Sequence, residues 1–405
     1  MYDYIVIGLG MIGSAALKYL SSVSKNTIGI GPAEPPSIRD HRGVFSSHYD
    51  QARITRILDT DLVWATLAKR SIARYRKIEE QSGIKFYSEV GCLRLGSSLE
   101  TLELERTIEV GGKLGVKFEV LDPVDLRNKF PFLQFADNSY GLFETSDAGF
   151  INPRAIIKAQ LQIAQKNGAS IARQTVVKVR LKDSHVAIET DDGNHFLANK
   201  ALITAGAFTN CNHLLESKLA YKAYGRTVVL AKLSAMLVKR LASMPSLIFR
   251  SADGISLYVL PPVQYPDGLF YVKIGGGIID SDMQSIKDFE TFFHTDGSTS
   301  TAEKLRQILE SVLPELKPLS STTIPCVVTL TESDRPYIDT MVPSRVYVAT
   351  GGCGAAAKSS DEIARLGASL AEKEIWQDDL EAGQFASRFL KTKEQLTGCD
   401  HSEVC

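Results

Sequence analysis

The hydrophobic pattern changes its period several times along the chain, and each change predicts a different element. An apolar, mostly β-branched run at residues 4–7 leads into a glycine-rich turn and then into an alanine- and leucine-rich stretch at 15–20. This order predicts a buried strand, a tight turn and a helix. A second apolar run at 27–30 predicts the next strand of a βαβ unit, and a helical period over residues 61–81 predicts a long amphipathic helix.

The rest of the chain has a mixed pattern. Two short alternating runs predict strands at 86–90 and 92–96, and Pro153 marks the start of a helix at 154–167. An acidic helix is predicted at 99–114. The same reasoning predicts a strand and a hairpin over 170–193, strands at 201–208, 227–233, 246–250, 255–260, 269–275, 323–331, 336–339 and 346–350, and helices at 301–313 and 361–373.

The glycine-rich turn after the first strand has the GxGxxG spacing, with Gly8, Gly10 and Gly13 around Met11 and Ile12. Between a strand and a helix, this spacing predicts a dinucleotide site: the glycines allow close backbone approach, and the helix N-terminus holds the pyrophosphate. An acidic residue that binds the ribose normally follows the second strand. Here Gly31 occupies that place, and the nearest acid, Glu34, lies past the expected register. We expect backbone groups or water to replace it.

These patterns predict an α/β protein with two intertwined domains. A discontinuous Rossmann-like nucleotide domain is predicted from residues 1–85, 146–210 and 322–390, and an α+β substrate domain on a mixed or antiparallel sheet from 86–145 and 211–321. Residues 391–405 are predicted to be a loose polar tail. The small-residue turn at Ala205 and Gly206 is either a cofactor contact or a plain strand end.

Composition narrows the functional class. The 405 residues are 44% hydrophobic, and 46 Lys and Arg nearly balance 47 Asp and Glu, so bulk charge points to neither nucleic acid nor a membrane surface. No apolar run approaches the roughly 20 residues that would span a bilayer. The six cysteines lack CxxC spacing, which favours a reducing compartment and argues against zinc. With neither a secretory pattern nor an SKL-type end, we expect a cytoplasmic protein without a metal.

Four further segments carry candidate chemistry. They are Ser-His-Tyr-Asp-Gln-Ala-Arg-Ile-Thr-Arg at 47–56, the strands at 258–261 (Tyr-Val-Leu-Pro) and 271–275 (Tyr-Val-Lys-Ile-Gly), Cys-Val-Val-Thr-Leu-Thr-Glu-Ser-Asp-Arg-Pro-Tyr-Ile-Asp at 326–339, and Gly-Gly-Cys-Gly-Ala-Ala-Ala-Lys at 351–358. Read alone, Arg53 and Arg56 are either surface arginines or a planar fork for an anion. Lys273 and Lys358 are either solvated or functional, His48 is either a loop histidine or a ligand contact, and Cys326 is either an inert thiol or reactive.

In this order, the segments resemble the amine-oxidising flavoproteins of the sarcosine oxidase and pipecolate oxidase group, which includes N-methyltryptophan oxidase and the fructosyl amino acid oxidases of the D-amino acid oxidase superfamily. The resemblance implies an FAD cofactor in the nucleotide domain. It implies that Arg56 and Lys358 bind the substrate carboxylate, and we call this pair the carboxylate clamp. It also implies that Lys273 activates oxygen, that Tyr258 lines the substrate pocket and that the Cys326 sulfur is bonded to the flavin 8α-carbon.

The same resemblance implies which residues bind the flavin. Besides the glycine turn they are Ser47, His48, Arg53, Ile54, Val177, Ala205, Gly206, Cys326, Gly352, Gly354 and Lys358. Some positions depart from the family pattern. Members that act on sarcosine have histidines where this chain has Gly277 and Ala355, and a tyrosine where it has Val328. The departures predict a roomier pocket and a substrate other than sarcosine.

The resemblance implies a monomeric enzyme that oxidises a secondary α-amino acid to an imine and reduces O2 to H2O2. N-methyl, cyclic and opine-like amino acids such as saccharopine, as well as fructosyl amino acids, all fit as substrates. Three alternatives stay open: an FAD dehydrogenase that uses another electron acceptor, an NAD-linked imine reductase or opine dehydrogenase, and a flavin-bound scaffold without turnover.

Overall fold

The computed structural model describes residues 1–35, 37–40, 42–44, 50–97 and 102–390. The first half of this part forms β1 (Tyr2–Ile7), α1 (Met11–Val23), β2 (Thr27–Ile30), β3 (Arg53–Thr55), α2 (Leu62–Ser82), β4 (Tyr87–Ser88), β5 (Cys92–Gly96), α3 (Leu102–Lys113), β6 (Phe118–Leu121), α4 (Pro123–Lys129), β7 (Tyr140–Glu144), β8 (Gly149–Ile151), α5 (Pro153–Lys166), β9 (Ser170–Ala172), β10 (Val176–Leu181), β11 (Val186–Thr190) and β12 (His195–Ile203).

The second half forms β13 (Tyr221–Lys232), α6 (Ala235–Arg240), β14 (Ser246–Arg250), β15 (Ser256–Gln264), β16 (Phe270–Gly276), β17 (Ser281–Met283), α7 (Ile286–Phe293), α8 (Thr299–Val312), β18 (Ser320–Thr331), β19 (Tyr337–Val342), β20 (Val346–Thr350) and α9 (Ala356–Lys373). Short 3₁₀ turns lie at Ile38–Asp40, Gly206–Phe208 and Ala382–Phe385. Across the described ranges, no helix is long and apolar enough to cross a membrane.

An eight-stranded sheet forms the half of the molecule that contains the glycine-rich turn. Its strands run in the order β10-β11-β12-β1-β2-β9, and β20 pairs with both β12 and β19. The pairs β1–β12, β1–β2, β2–β9 and β12–β20 are parallel. On one face, Leu17 of α1, Leu161 of α5 and Leu366 of α9 share a buried core with Val6 and Leu202 of the sheet. The predicted Rossmann-like α/β fold is therefore confirmed.

A nine-stranded, mostly antiparallel sheet forms the other half, in the order β17-β13-β16-β15-β14-β5-β7-β6 with β18 on β13. Residues from before and after the middle of the chain meet where β5 and β14 pair in parallel. The predicted mixed or antiparallel second sheet is confirmed. The strand β18 pairs with β13 along its whole length, from Tyr221 opposite Thr331 to Lys232 opposite Ser320. It therefore crosses the predicted boundary at 321/322, and the domain division stays a prediction.

A small sheet, in the order β3-β8-β4, leads into the loop that precedes α2. The Asp61 side chain caps α2 by accepting a hydrogen bond of 2.9 Å from the Trp64 N–H, and Gly83 ends the helix with φ +75°. The helix lies one residue from its predicted bounds because these capping signals are local in the sequence.

Buried ion pairs attach α9 to the first helices of the chain. Asp361 is fully buried and accepts hydrogen bonds from Lys18, from the Tyr19 hydroxyl at 2.7 Å and from Arg74 Nε at 2.6 Å. Glu362 is also fully buried and accepts from Arg74 Nη2 at 2.6 Å. A buried charge is tolerated only when it is paired in this way, so the network fixes α9 against α1 and α2.

Several predicted bounds were wrong. The last helix begins at Ala356 rather than 361, which places Lys358 in its first turn. No side chain caps this helix start, so the sequence carries no start signal there. The helices α4, α6 and α7 were not predicted, although Ser285 and Asp288 form a capping box at the start of α7. Its eight residues are too few to show a clear helical period.

Candidate active site

A cavity of about 710 Å³ has walls from both large sheets. It is lined by the turn after β1, by the loops after β3 and β20, and by residues of β13, β15 and β18. Clefts of this size at the carboxyl ends of parallel strands commonly bind ligands.

The glycine turn forms a backbone-only part of this wall. Gly8 has φ +93°, and a Cβ built on it would lie 2.8 Å from the Thr204 oxygen. A Cβ on Gly13 would lie 1.7 Å from the Gly8 oxygen, so Gly13 packs α1 against the strand and does not line the cavity. No side chain caps α1 at Gly10, so its first N–H groups are available to an anionic ligand.

Another part of the wall lies beside the second strand of the βαβ unit. A Cβ on Gly31 would lie 2.8 Å from the Leu9 nitrogen, so no ribose-binding acid fits there. Glu34 instead forms an ion pair with Arg154, and neither residue lines the cavity. Gln174 lines the cavity, and its buried Oε1 has no hydrogen-bond partner among the described residues. This orphaned acceptor is suited to an N–H donor of a ligand.

The two residues of the carboxylate clamp meet on the cavity wall, together with a residue that the sequence analysis missed. Lys358 Nζ donates to Asp59 Oδ2 at 2.5 Å, and Arg56 Nη1 donates to the same oxygen at 3.0 Å. All three side chains line the cavity. Asp59 lies three residues after Arg56, and this spacing was the signal that could have identified it.

Burial and pairing set the charges of this group. Burial, opposed by Asp59, lowers the pKa of Lys358 to about 8. Although burial works against its ionisation, Lys358 and Arg56 hold the pKa of the Asp59 carboxyl well below its usual range. Arg94 adds a positive field from β5; its Nη1 pairs with Glu103 at 2.6 Å, and burial lowers its pKa.

A buried carboxylate fixes the loop that carries Arg56 and Asp59. Glu144 is fully buried, and its two oxygens accept the N–H groups of Ile57 at 2.8 Å and of Leu58 at 2.9 Å. Burial raises its pKa to about 7, although both hydrogen bonds oppose that change. Because Glu144 lies in β7, these hydrogen bonds attach the loop backbone to the nine-stranded sheet.

A second ion pair lies behind the wall. The ammonium of Lys273 is fully buried and bonds to Asp50 and, at 3.0 Å, to the Ala52 oxygen. Asp50 also accepts from Arg53 and from the Tyr265 hydroxyl at 2.8 Å. Burial alone would raise the pKa of Asp50, but Lys273 and Arg53 lower it to about 2.

Two arginines flank Cys326, which lies on the wall in β18. Arg53 Nη2 lies 3.6 Å from the Cys326 sulfur, and Arg226 is the register partner of Cys326 on β13. Arg226 lines the cavity, its Nε has no hydrogen-bond partner in the described ranges, and burial lowers its pKa. The sequence analysis missed Arg226, because an isolated arginine in a strand gives no signal of the strand's partner.

The family model described as DAO, FAD dependent oxidoreductase, matches residues 3–370. The chain belongs to this family. The predicted resemblance is confirmed, and the protein is an FAD-dependent oxidoreductase.

Named relatives are similar over most of the length. The monomeric sarcosine oxidase of Arthrobacter sp. (strain TE1826) is 24% identical over 406 residues, which cover 98% of each chain. The N-methyl-L-tryptophan oxidase of Yersinia pestis (strain Pestoides F) is 28% identical over 209 residues, 51% of this chain and 54% of that one. The open form of NikD, an unusual amino acid oxidase essential for nikkomycin biosynthesis, has the same fold, with a TM-score of 0.76 and 20% identity over 97% of this chain and 98% of that chain.

The residues present fit an FAD. The glycine turn would hold the pyrophosphate, since its glycines leave no room for side chains and α1 is uncapped. Gln174, with its unpaired Oε1 on the cavity wall, would supply a hydrogen-bond acceptor to the cofactor. Within the described ranges, no three His, Cys, Asp or Glu side chains gather in a way suited to a metal ion.

Most predicted site residues of this flavoenzyme line the cavity. They are Gly8, Gly10, Met11, Ile12, Arg53, Ile54, Arg56, Ala205, Gly206, Tyr258, Cys326, Gly352, Gly354 and Lys358. Val177 does not; its neighbour Val176 does, because consecutive strand residues face opposite sides. Lys273 also lies off the wall, with its nitrogen 5.3 Å from the centroid of the Tyr258 ring. Ser47 and His48 lie outside the described residues.

The positions that depart from the family pattern also lie on the wall. Gly277, Val328 and Ala355 all line the cavity. A Cβ built on Gly277 would meet its nearest neighbour, the Ser256 oxygen, at 3.6 Å, which is ordinary contact. Space is therefore open at this position.

Proposed function

We propose that this flavoenzyme oxidises the C–N bond of a secondary α-amino acid, N-substituted or cyclic, to an imine and reduces O2 to H2O2. The observation that carries the proposal is the meeting of Arg56 and Lys358 on the wall of the cavity that contains the glycine turn. Cationic N–H donors held in a cleft are the expected partners of a substrate carboxylate. The named relatives, two of which are oxidases of N-methylated amino acids, support the same substrate class.

The chain's own residues bind and orient the substrate. All hydrogen bonds that Arg56 makes within the described residues leave from Nη1, so Nε and Nη2 are available to a carboxylate. Tyr258 lies on the cavity wall and would help to exclude water from the bound amine. When bound, the flavin supplies the two-electron oxidation of the C–H bond beside the nitrogen. Holding that bond in place contributes on the order of 7–11 kcal/mol toward the barrier.

The expected substrate is larger than sarcosine. The open space at Gly277 and the small side chain of Ala355 support this, since both lie on the wall where bulk would restrict the amine end. N-substituted amino acids of the opine type and fructosyl amino acids are included in the class.

The oxygen step has a second candidate. Lys273 is buried off the cavity wall and paired with Asp50, so its positive charge is largely neutralised. A neutralised cation gives less stabilisation to a reduced oxygen species. This observation favours an FAD dehydrogenase that passes its electrons to another acceptor as the second candidate function.

We also propose a covalent bond between the Cys326 sulfur and the 8α-carbon of the flavin. The bond would replace the thiol S–H bond and one 8α C–H bond, with loss of two protons, and the two electrons released would pass through the flavin to O2. Cys326 lies on the cavity wall, with the guanidinium of Arg53 3.6 Å from its sulfur, so the thiol borders the space that the flavin would fill. Cys353 also lines the cavity, but its sulfur shares a hydrogen bond of 3.2 Å with the Thr331 hydroxyl. Acid precipitation tests the proposal: the yellow colour should stay in the pellet for the wild type and for Cys353→Ser, and move to the supernatant for Cys326→Ser. Colour that stays with the Cys326→Ser pellet would contradict it.

A peroxide-coupled screen tests the reaction. Purified holoprotein is offered N-alkyl, cyclic, opine-type and fructosyl amino acids, each beside the matching amine without a carboxylate. We expect peroxide only from the carboxylates. Equal turnover of the matching amines would contradict the proposal that Arg56 and Lys358 bind a substrate carboxylate. Turnover with an artificial electron acceptor but not with oxygen would establish the dehydrogenase.

A further inference from the structure

The carboxylate clamp already contains a carboxylate. Asp59 Oδ2 accepts hydrogen bonds from both clamp residues, from Lys358 at 2.5 Å and from Arg56 at 3.0 Å. The Asp59 side chain lines the cavity and is 13% exposed. A substrate carboxylate that enters the clamp therefore lies beside a resident negative charge.

The loop backbone holds Asp59 in this place. On one side, Glu144 binds the N–H groups of Ile57 and Leu58; on the other, Asp61 caps α2 and pairs with Arg335. The backbone on both sides of Asp59 is therefore anchored to neighbouring elements.

A charge count gives the character of the clamp. Arg56 and Lys358 contribute two positive charges and Asp59 one negative charge, so one net positive charge remains. The other ionisable groups coupled to the clamp are Arg94, which pairs with Glu103, and Glu144 and Cys92, whose pKa values burial raises.

The second oxygen of Asp59 is open to a ligand. Within the described part of the chain, Oδ1 accepts only a long hydrogen bond of 3.5 Å, from Thr60. Two residues of the same cavity wall thus carry donors, Nε and Nη2 of Arg56, and an acceptor, Oδ1 of Asp59, that have no short hydrogen bond in the described part of the chain. An anion gains from the first and is repelled by the second.

We infer that Asp59 determines specificity: it makes the clamp select a ligand that brings a cationic nitrogen together with its carboxylate, and it disfavours a bare anion. The inference rests on the proposed function, which assigns the substrate carboxylate to the clamp. An amino acid zwitterion meets the requirement, because its nitrogen can lie against Asp59 while its carboxylate meets Arg56 and Lys358.

Two probes of the same shape separate charge from size. Glycine betaine and 3,3-dimethylbutanoate differ only in a quaternary nitrogen or carbon, and neither has an amine lone pair that could be oxidised. Calorimetric titration of the wild-type holoprotein should give tighter binding of betaine. In Asp59→Asn the ratio of the two affinities should shift toward the anion by at least about tenfold, since one partly buried charge is removed. Asp59→Ser gives the same readout should the Asn variant fail to fold.

Asp125→Asn is the control. It removes one negative charge from an exposed position in α4, off the cavity wall, so the affinity ratio should stay at the wild-type value. An unchanged ratio in Asp59→Asn, with binding lost in Arg56→Met, would overturn this inference and leave the clamp in place. If neither probe binds to the wild type or to any variant, both the carboxylate-binding role of Arg56 and Lys358 and this inference are wrong.

Discussion

The glycine turn and the carboxylate clamp line the same cavity but are built in different ways. The turn consists of backbone, and its glycines lie within six residues of one another, from Gly8 to Gly13. The clamp consists of side chains from the loop after β3 and from the first turn of α9. A backbone site is fixed by local sequence and accepts almost no substitution. A side-chain site depends on long-range packing and can be retuned by a single change.

The largest effect is expected in the backbone site. In Gly13→Ala the new Cβ would lie 1.7 Å from the Gly8 oxygen, so α1 must move off the strand. We expect the flavin to be lost on purification and the free energy of unfolding to fall by about 3 kcal/mol. Flavin absorbance measures the flavin content, and urea unfolding measures the free energy of unfolding.

Gly112→Ala is the control for this substitution. Gly112 lies in α3, and a Cβ there would have no neighbour within 4 Å. The helix should be stabilised by about 0.5–1 kcal/mol with full flavin content. Normal flavin binding by Gly13→Ala would show that the turn is not tightly packed.

The next largest effect is expected in the clamp. Arg56→Met should lower kcat/KM for a carboxylate substrate by roughly 100-fold, ~2.7 kcal/mol, while flavin content stays normal. Steady-state kinetics on the substrate found in the screen measure this. Arg154→Met removes an arginine off the cavity wall and should leave kcat/KM unchanged. Flavin loss in Arg56→Met would show that the two sites are not separable.

A smaller effect is expected from pH. The clamp is fully charged while Lys358 is protonated, and its pKa is about 8. Affinity for an anion should therefore hold below pH 8 and fall as the pH rises through it, by up to about tenfold per pH unit. Titration of 3,3-dimethylbutanoate across this range measures the change, and Lys358→Met should remove it. A pH dependence that survives in Lys358→Met would assign the titration to another group.

The smallest effect is expected at the open part of the wall. Gly277→Ala should change the free energy of unfolding by less than about 0.5 kcal/mol, because its Cβ would make only ordinary contact. Gly276→Ala, one residue earlier, would put a Cβ 2.5 Å from the Ser256 oxygen and should destabilise the protein clearly. Thermal unfolding compares the pair. Equal destabilisation would contradict the open space at Gly277.

The same contrast explains what could be predicted from the sequence. The strand, the glycine turn and the helix that follow Tyr2 lie within one short window, so their pattern predicts both fold and ligand. The bounds of α2 were within one residue because Asp61 and Gly83 are local start and stop signals, respectively. Cys326 could be placed near the cofactor only through the resemblance, because no local pattern assigns a lone cysteine.

The rest depends on contacts that no local pattern contains. That Lys273 lies off the cavity wall follows from its pairing with Asp50, which comes from a distant loop. Asp59 could have been noticed by its spacing from Arg56, but its place in the clamp requires Lys358 from the other end of the chain. Val177 was predicted to contact the cofactor, but Val176 is the residue that lines the cavity. The difference is one residue, which moves a strand side chain to the opposite face of the sheet.

The ion pairs between α1 and α9 have a consequence for the order of synthesis. Lys18 leaves the ribosome 343 residues before its counter-charge, Asp361. Lys358 emerges three residues before that partner, so a nascent or truncated chain has neither a neutralised α1 nor a second cation at the clamp. The clamp is therefore completed only after Lys358 has been synthesised, and a product that ends before Asp361 lacks the counter-charge and the helix against which α1 packs, which favours its unfolding and removal.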